Sequence, residues 1–272
     1  MKREELHRNV REKFLFEGLT STGKSWLSLN IAKIYLMNDK KVLFIDPEDG
    51  VQRELDRGIF DDLTDKELEN IEMIHANNIE TYLKWVNGWT EDKSIGPQIN
   101  KVQHGLNCDL KVCDGIMTEI EQYKFRLTQK FIRQGYYVIG EKQFPISNPD
   151  LFNLPYQTYN KLYDQLRDAI TIMMEHSYDI ICTTHPFKST DAHKALEQSI
   201  HGKFDSVIRL NKLLLPSGNP KWNAIIVKNR GKESPDKSNA IDSVNPIILY
   251  FIKKFNMDTD ETLERLGMKE KE

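Results

Sequence analysis

The sequence has little cysteine, no long apolar run and no excess of positive charge. Its three cysteines, Cys108, Cys113 and Cys182, form no CxxC pair and no zinc-spaced cluster with histidine, so we expect free thiols in a reducing compartment. No run approaches the roughly 20 apolar residues of a membrane helix. Residues 1–13 are charged and lack the apolar stretch of a signal peptide. These absences favour a cytoplasmic protein with no membrane partner.

The overall charge balance is close to neutral, with a net charge of -3 over 272 residues. No global positive field therefore indicates nucleic-acid binding, although a local basic groove is compatible with this balance. Hydrophobic residues make up 39% of the chain and charged residues 29%, which is typical of a hydrophilic globular protein. Without repeats or an obvious linker, we expect residues 1–272 to form a single domain.

Short apolar runs alternate with longer segments of helical periodicity. This alternation predicts an α/β fold, with a mostly parallel central sheet, helices on both faces and antiparallel strands toward the C-terminus. The predicted strands are residues 14–16, 42–45, 71–74, 110–113, 178–185, 207–210, 224–227 and 247–251.

Two segments do not fit the alternating pattern. Residues 133–158 are rich in glycine, proline, asparagine and aromatics, and we interpret them as an irregular insertion. Residues 258–272 are highly charged, which predicts either a solvated helix or a disordered tail.

The first glycine-rich segment has the spacing G-x-x-x-x-G-K-S. Such a loop wraps phosphate oxygens with successive backbone N–H groups, while its lysine reaches the β- and γ-phosphates and its serine hydroxyl binds Mg²⁺. A predicted strand precedes the loop and an amphipathic helix follows it, and the start of that helix adds a positive dipole end. The predicted nucleotide-binding residues are Gly18, Leu19, Thr20, Ser21, Thr22, Gly23, Lys24, Ser25 and Trp26.

Acidic residues follow two of the apolar runs. Ligands of open α/β sheets bind at the carboxyl ends of strands, so acids at these ends can converge on the phosphates. Asp114 is the candidate to hold Mg²⁺ together with Ser25, and Asp46 and Glu48 are candidates to orient the attacking water. A turn or helix-cap role is the alternative for each acid. Lys111 interrupts the run before Asp114, which leaves the register of that strand open.

The segments at residues 18–25, 44–48 and 112–115 together resemble the RecA-like ATPase core. This group includes the RecA and RadA recombinases, DnaB-type helicases, KaiC-type ATPases and short phage-encoded RecA-like annealing ATPases. The resemblance implies an oligomeric ATPase that uses ATP and Mg²⁺, with Glu48 polarising the attacking water. The chain shows no separate DNA-binding or helicase-type N-terminal domain, which favours the short class.

The resemblance also implies roles for three residues in the second half of the chain. His185, at the end of a predicted strand, corresponds to a sensor of the γ-phosphate; capping of the strand is the alternative. Lys228 and Arg230 are similar to the K-x-R segment that reaches a neighbouring subunit's γ-phosphate in ring-shaped ATPases. A basic turn between two strands is the alternative for this pair.

Single-stranded DNA is the partner that the resemblance to recombinases favours. Candidate contacts are Tyr123, Lys124, Phe125, Arg126, Lys130 and Arg133, which combine stacking and positive charge but also fit an ordinary amphipathic helix. A KaiC-like regulatory ATPase that binds a protein partner is the alternative function. A phosphotransferase is disfavoured because no arginine-rich lid is evident, and GTP is disfavoured because the N-K-x-D motif is missing.

Overall fold

A computed structural model describes residues 11–76, 78–87, 89–92, 100–103, 108–176, 178–186, 191–214, 220–229, 240–241 and 245–268. The strands of the described residues are β1 (Lys13–Glu17), β2 (Val42–Ile45), β3 (Ile71–Ile74), β4 (Trp89–Asp92), β5 (Asn100–Gln103), β6 (Leu110–Cys113), β7 (Tyr136–Ile139), β8 (Lys142–Pro145), β9 (Asp179–Thr184), β10 (Ser206–Leu214), β11 (Pro220–Asn229) and β12 (Ala240–Ile241). Eight of these strands form the central sheet, in the order β12-β11-β10-β1-β9-β6-β2-β3. The β4–β5 and β7–β8 pairs form two separate two-stranded sheets.

Neighbouring strands are parallel from β10 through β1, β9, β6 and β2 to β3, whereas β11 and β12 pair antiparallel at the other edge. The predicted α/β class, with a mostly parallel sheet and antiparallel strands toward the C-terminus, is confirmed. The helices are α1 (Lys24–Leu36), α2 (Gly50–Leu55), α3 (Asp65–Leu68), α4 (Ile79–Asn87), α5 (Thr118–Gln134), α6 (Asn160–Glu175), α7 (Asp191–Lys203), α8 (Asn245–Lys254) and α9 (Thr259–Arg265).

The alternation of side chains along each strand builds a separate core on each face of the sheet. Phe14 and Phe16 of β1 pack into the cluster that contains α1 and α8, whereas Leu15 packs into the cluster that contains α4, α6 and α7. Because successive strand residues point to opposite faces, strands buried on both sides must be apolar throughout. This explains why β2 reads as a continuous apolar run. Among the described residues, no helix combines the length and apolar character of a membrane span.

Lys111 lies in β6, fully buried, and the strand ends where the sequence predicted. Its ammonium group donates a hydrogen bond to the Trp85 carbonyl at 3.1 Å and lies 4.6 Å from the centre of the Tyr178 ring. Burial lowers the pKa of Lys111, while the neighbouring Cys113 and Cys108 oppose this change. The carbonyl and the ring therefore accommodate the charge, and Asp114 follows β6 directly.

The prediction of a strand at residues 247–251 is wrong, because these residues belong to α8. Ile247, Ile248, Phe251 and Ile252 are buried at spacings of one, three and one residues, which is the period of a helix packed on one side. Pro246 stands in the first turn, where a missing N–H costs nothing. A short apolar run does not distinguish a buried strand from a buried helix, and the sheet supplies the surface that selects the helix.

The two segments outside the alternating pattern are more ordered than the sequence indicated. Within residues 133–158, β7 and β8 form an antiparallel hairpin that turns at Gly140, and two short 3-10 turns follow. The predicted charged tail is described as far as residue 268, and residues 269–272 lie outside the described residues. Within it, α9 is not simply solvated, because Thr262 is buried and Leu266, directly after the helix, belongs to a hydrophobic core. Tertiary packing therefore orders segments whose local sequence is mostly polar.

Candidate phosphate-binding cleft

A cleft of about 790 Å³ opens at the carboxyl edge of the central strands. The chain leaves β1 into the glycine-rich loop, β2 into Asp46, β6 into Asp114 and β9 into His185, so parallel pairing places all four connections at one edge. The lining residues are Thr20, Ser21, Thr22, Gly23, Lys24, Ser25, Trp26, Glu48, Gly50, Arg53, Glu54, Arg57, Asp114, Gly115, Thr183, Thr184, His185, Asn245 and Met268.

The glycine-rich loop is held in a tight, preformed shape. The Gly18 N–H donates to the Thr184 carbonyl at 3.2 Å, and the Thr22 hydroxyl donates to the Leu19 carbonyl at 2.8 Å. A Cβ on Gly18 would lie 2.3 Å from the Thr22 hydroxyl oxygen, and Gly23 adopts a φ of 87° just before α1. The glycines of the motif are therefore required by close approach and by left-handed backbone.

Lys24 lies at the centre of this loop, and its ammonium group donates to the carbonyls of Gly18 at 2.9 Å and Leu19 at 3.0 Å. Burial lowers the pKa of Lys24, whereas the nearby carboxylates of Asp114 and Glu48 raise it. The side chain therefore holds a positive charge at the N-terminal end of α1, where the helix dipole adds to its attraction for anions.

Asp114 lies opposite Ser25 across the cleft, and both of its oxygens are engaged. The Ser25 hydroxyl donates to one oxygen at 2.8 Å and the Thr183 hydroxyl donates to the other at 2.5 Å. Burial raises the pKa of Asp114, although the two hydroxyl hydrogen bonds oppose the shift. A nearly buried carboxylate beside a hydroxyl is an oxygen-donor pair that suits a hard divalent cation.

Glu48 and Asp46 separate into different roles. The Asp46 carboxylate accepts hydrogen bonds from the backbone N–H groups of Gly50 at 3.0 Å and Val51 at 2.9 Å, so it caps the start of α2. The Glu48 carboxylate instead faces the cleft and accepts a hydrogen bond from the Thr118 hydroxyl. Burial, and then the charge of Asp114, raise the pKa of Glu48. The helix-cap alternative therefore applies to Asp46, and of these two acids Glu48 is the one that lines the cleft.

His185 also lines the cleft, immediately after β9. Burial and the positive charge of Lys24 lower its pKa, while a hydrogen bond to the Gly18 backbone opposes the shift. The imidazole is therefore expected to be neutral near pH 7, and it contacts Gly18, the glycine that begins the glycine-rich loop.

Lys228 lies away from this group of residues. Its ammonium group donates to the carbonyls of His201 at 2.8 Å, Gly202 at 3.1 Å and Phe204 at 2.7 Å, and so it caps the C-terminal end of α7. These contacts agree with a structural role. The predicted contact with a neighbouring subunit stays a prediction, and Arg230 lies outside the described residues.

Sequence reasoning did not single out Gly50, Gly115 or Thr183, although all three line the cleft. A Cβ on Gly50 would lie 2.5 Å from an Asp114 oxygen, and Gly115 at φ 71° brings its N–H to within 2.8 Å of the Thr183 hydroxyl. Thr183 thus links β9 to both Gly115 and Asp114. The sequence signal for Gly50 was its position in the turn after β2. Its proximity to Asp114 is evident only from the structure, because Asp114 follows a different strand, β6.

The six candidate DNA contacts on α5 divide between two faces of the helix. Tyr123 packs against a hydrophobic core, and the Lys124 ammonium lies 4.4 Å from the centre of the Tyr159 ring. The outward-facing residues are Phe125, which is 65% exposed, with Arg126, Lys130 and Arg133.

No protein-family model matches the chain, and no curated protein matches it in sequence. Among solved structures, the flagellar accessory protein FlaH from Methanocaldococcus jannaschii is 15% identical, with a TM-score of 0.47 over 88% of this chain and 90% of FlaH. The RadB recombinase is 12% identical, with a TM-score of 0.47 over 82% of this chain and 83% of RadB.

A KaiC-like protein from Pyrococcus horikoshii OT3 is 17% identical, with a TM-score of 0.45 over 82% of each chain.

Proposed function

We propose that this protein binds and hydrolyses ATP with Mg²⁺. The observation that carries the proposal is the convergence of Lys24, Ser25, Asp114 and Glu48 on one cleft at the carboxyl edge of the sheet. These groups come from three separate connections, after β1, β2 and β6. Together they supply one ammonium group, one hydroxyl group and two carboxylates, which is the set of groups that phosphoryl transfer requires.

The residues present fit a bound Mg²⁺. Ser25 and Asp114 supply a hydroxyl and a carboxylate oxygen 2.8 Å apart, and Mg²⁺ prefers oxygen donors. Gly50 keeps the space beside them open, because any side chain there would meet the Asp114 oxygen. When bound, Mg²⁺ would neutralise phosphate charge and polarise the phosphoryl group.

The chain's own groups have distinct roles in this proposal. Lys24 and the N–H groups of the glycine-rich loop bind and orient the phosphates. Glu48, whose pKa is raised by burial, accepts the proton of the attacking water and is held in position by the Thr118 hydroxyl. His185 lines the same cleft, which supports its predicted role as a sensor of the γ-phosphate.

We further propose that hydrolysis is coupled to single-stranded DNA in an oligomer that acts in recombination, annealing or replication. The outward face of α5 supports this proposal, because Phe125 can stack on a base while Arg126, Lys130 and Arg133 attract phosphates. A regulatory ATPase that acts through a protein partner is the alternative, and it predicts hydrolysis that is indifferent to DNA.

The first test measures ATP hydrolysis by wild type and Lys24→Ala, with and without single-stranded DNA, together with the mass of the protein in solution. We expect Lys24→Ala to lose hydrolysis at least about a hundredfold, because phosphate charge is no longer compensated. Lys66→Ala is the control, since Lys66 is a surface residue whose side chain is 76% exposed. Full activity of Lys24→Ala would reject the proposed site.

The coupling to DNA has its own readout. Addition of single-stranded DNA should increase hydrolysis by an oligomeric species, and Lys130→Glu combined with Arg133→Glu should weaken the DNA response while leaving basal hydrolysis intact. Wild-type hydrolysis that ignores DNA at low salt would reject the coupling and favour the regulatory alternative.

A further inference from the structure

The cleft is larger and chemically more varied than a phosphate site requires. Apart from three glycines, its lining residues are polar or charged with two exceptions, the apolar side chains of Trp26 and Met268. Both side chains are half-buried and pack against the hydrophobic core that contains α1. A nucleotide needs an apolar surface for its base in addition to a cradle for its phosphates.

The end of α9 fixes the direction of Met268. Gly267 adopts a φ of 64°, its N–H donates to the Glu264 carbonyl at 2.9 Å, and the Met268 N–H donates to the Leu263 carbonyl at 2.8 Å. This is the Schellman arrangement, in which a left-handed glycine turns the chain back over the helix that it ends. The reversal directs Met268 toward the cleft.

An ion-pair network around the buried Lys33 side chain links α9 to α1. Lys33 of α1 donates to the Arg265 carbonyl at 2.8 Å and pairs with Asp62, which also pairs with Arg265 at 3.5 Å. Trp26 and Lys33 are seven residues apart in α1, so they lie on the same face of the helix. The contact at Lys33 therefore brings the end of α9 to the face of α1 that carries Trp26.

We infer that Trp26 and Met268 form the base-binding part of the nucleotide cleft, so that the charged C-terminal segment helps to recognise the nucleotide. The indole offers a flat surface for stacking, and the flexible thioether makes favourable contacts with aromatic rings. The inference rests on the proposed nucleotide function and adds a subsite for the heterocyclic base, separate from the phosphate cradle.

Binding of ATP and of inorganic triphosphate, compared by calorimetry, separates the two parts of the cleft. We expect Trp26→Ala and Met268→Ala each to weaken ATP about tenfold while triphosphate affinity stays within about twofold, because only ATP carries a base. Met257→Ala is the matched control, since Met257 packs against the same core but does not line the cleft.

Tryptophan emission provides a second readout in the full chain. ATP should change the emission of wild type, triphosphate should not, and Trp26→Phe should remove most of the response to ATP. Unchanged ATP affinity in both alanine variants would overturn the inference while leaving the phosphate site intact. An equal loss of affinity for ATP and triphosphate would also overturn it. A wild type that binds neither compound would instead reject the proposed function, and the inference with it.

Discussion

The central parallel strands and the antiparallel edge place their polar residues in different ways. Lys24, Glu48 and Asp114 follow parallel strands, and all three line one cleft. Lys228 lies in β11 at the antiparallel edge, and its ammonium group binds the C-terminal end of α7. Parallel strands end at the same edge of the sheet. The residues that follow them therefore lie close together, and this does not depend on how the connecting helices pack. An antiparallel strand carries no such constraint.

This difference explains which assignments could be made from local sequence. A residue that directly follows a parallel strand has its side of the sheet determined by the strand direction alone. The partner of a residue within an antiparallel strand depends on the tertiary structure, and for Lys228 that partner is a helix end. The comparison predicts that substitutions at the strand ends change chemistry, while substitution of Lys228 mainly changes stability.

The largest effect is expected for Glu48→Gln. Loss of the proton acceptor should reduce the hydrolysis rate by about 10²–10⁴, with ATP affinity nearly unchanged. Burial raises the pKa of Glu48 above its ordinary value of 4.5, so the wild-type rate should fall with decreasing pH at a higher pH than for an exposed glutamate. Steady-state rates across pH check both points, and the variant should lack this acid limb.

The matched control for Glu48→Gln is Glu54→Gln. Glu54 lines the same cleft but pairs with Arg57. Equal losses in the two variants would contradict a specific role for Glu48, because they would indicate a general effect of negative charge.

An intermediate effect is expected for Gly50→Ala. The new Cβ would lie 2.5 Å from an Asp114 oxygen and 3.4 Å from the Ser25 hydroxyl, so the carboxylate must move. We expect Mg²⁺-dependent hydrolysis to fall on the order of 10²-fold, as small displacements of positioned groups do. Gly202→Ala is the control, since a Cβ there meets nothing within 4 Å. A Gly50→Ala variant as active as the Gly202 control would show that Asp114 is not a metal ligand.

The smallest effect is expected for Lys228→Met. Loss of its hydrogen bonds to α7 should lower the free energy of unfolding by about 1–2 kcal/mol, measured by urea denaturation, with hydrolysis per folded chain unchanged. Lys66→Met gives the baseline for a surface lysine. A loss of hydrolysis confined to the assembled protein, at equal stability, would instead support the predicted contact with a neighbouring subunit.

Prediction from sequence was least successful in the C-terminal third of the chain. Residues 247–251 were predicted to form a strand because they are a short apolar run. In the structure they belong to α8, and the buried residues Ile247, Ile248 and Phe251 have the spacing of a helix that packs on the sheet. The charged tail was predicted to be a solvated helix or disordered, because its sequence is mostly polar. Lys33, more than 200 residues earlier, holds its last turn in place.

By itself, the sequence determined the glycine-rich loop, the mostly parallel α/β fold and the positions of Glu48 and Asp114 after their strands. These features depend on spacing within one loop and on strand direction, both of which are local properties. Only the tertiary structure decided that Asp46 caps α2, that Lys228 binds α7 and that Met268 lines the cleft. Each of these depends on which distant backbone group or side chain lies within reach, and local periodicity carries no information about that.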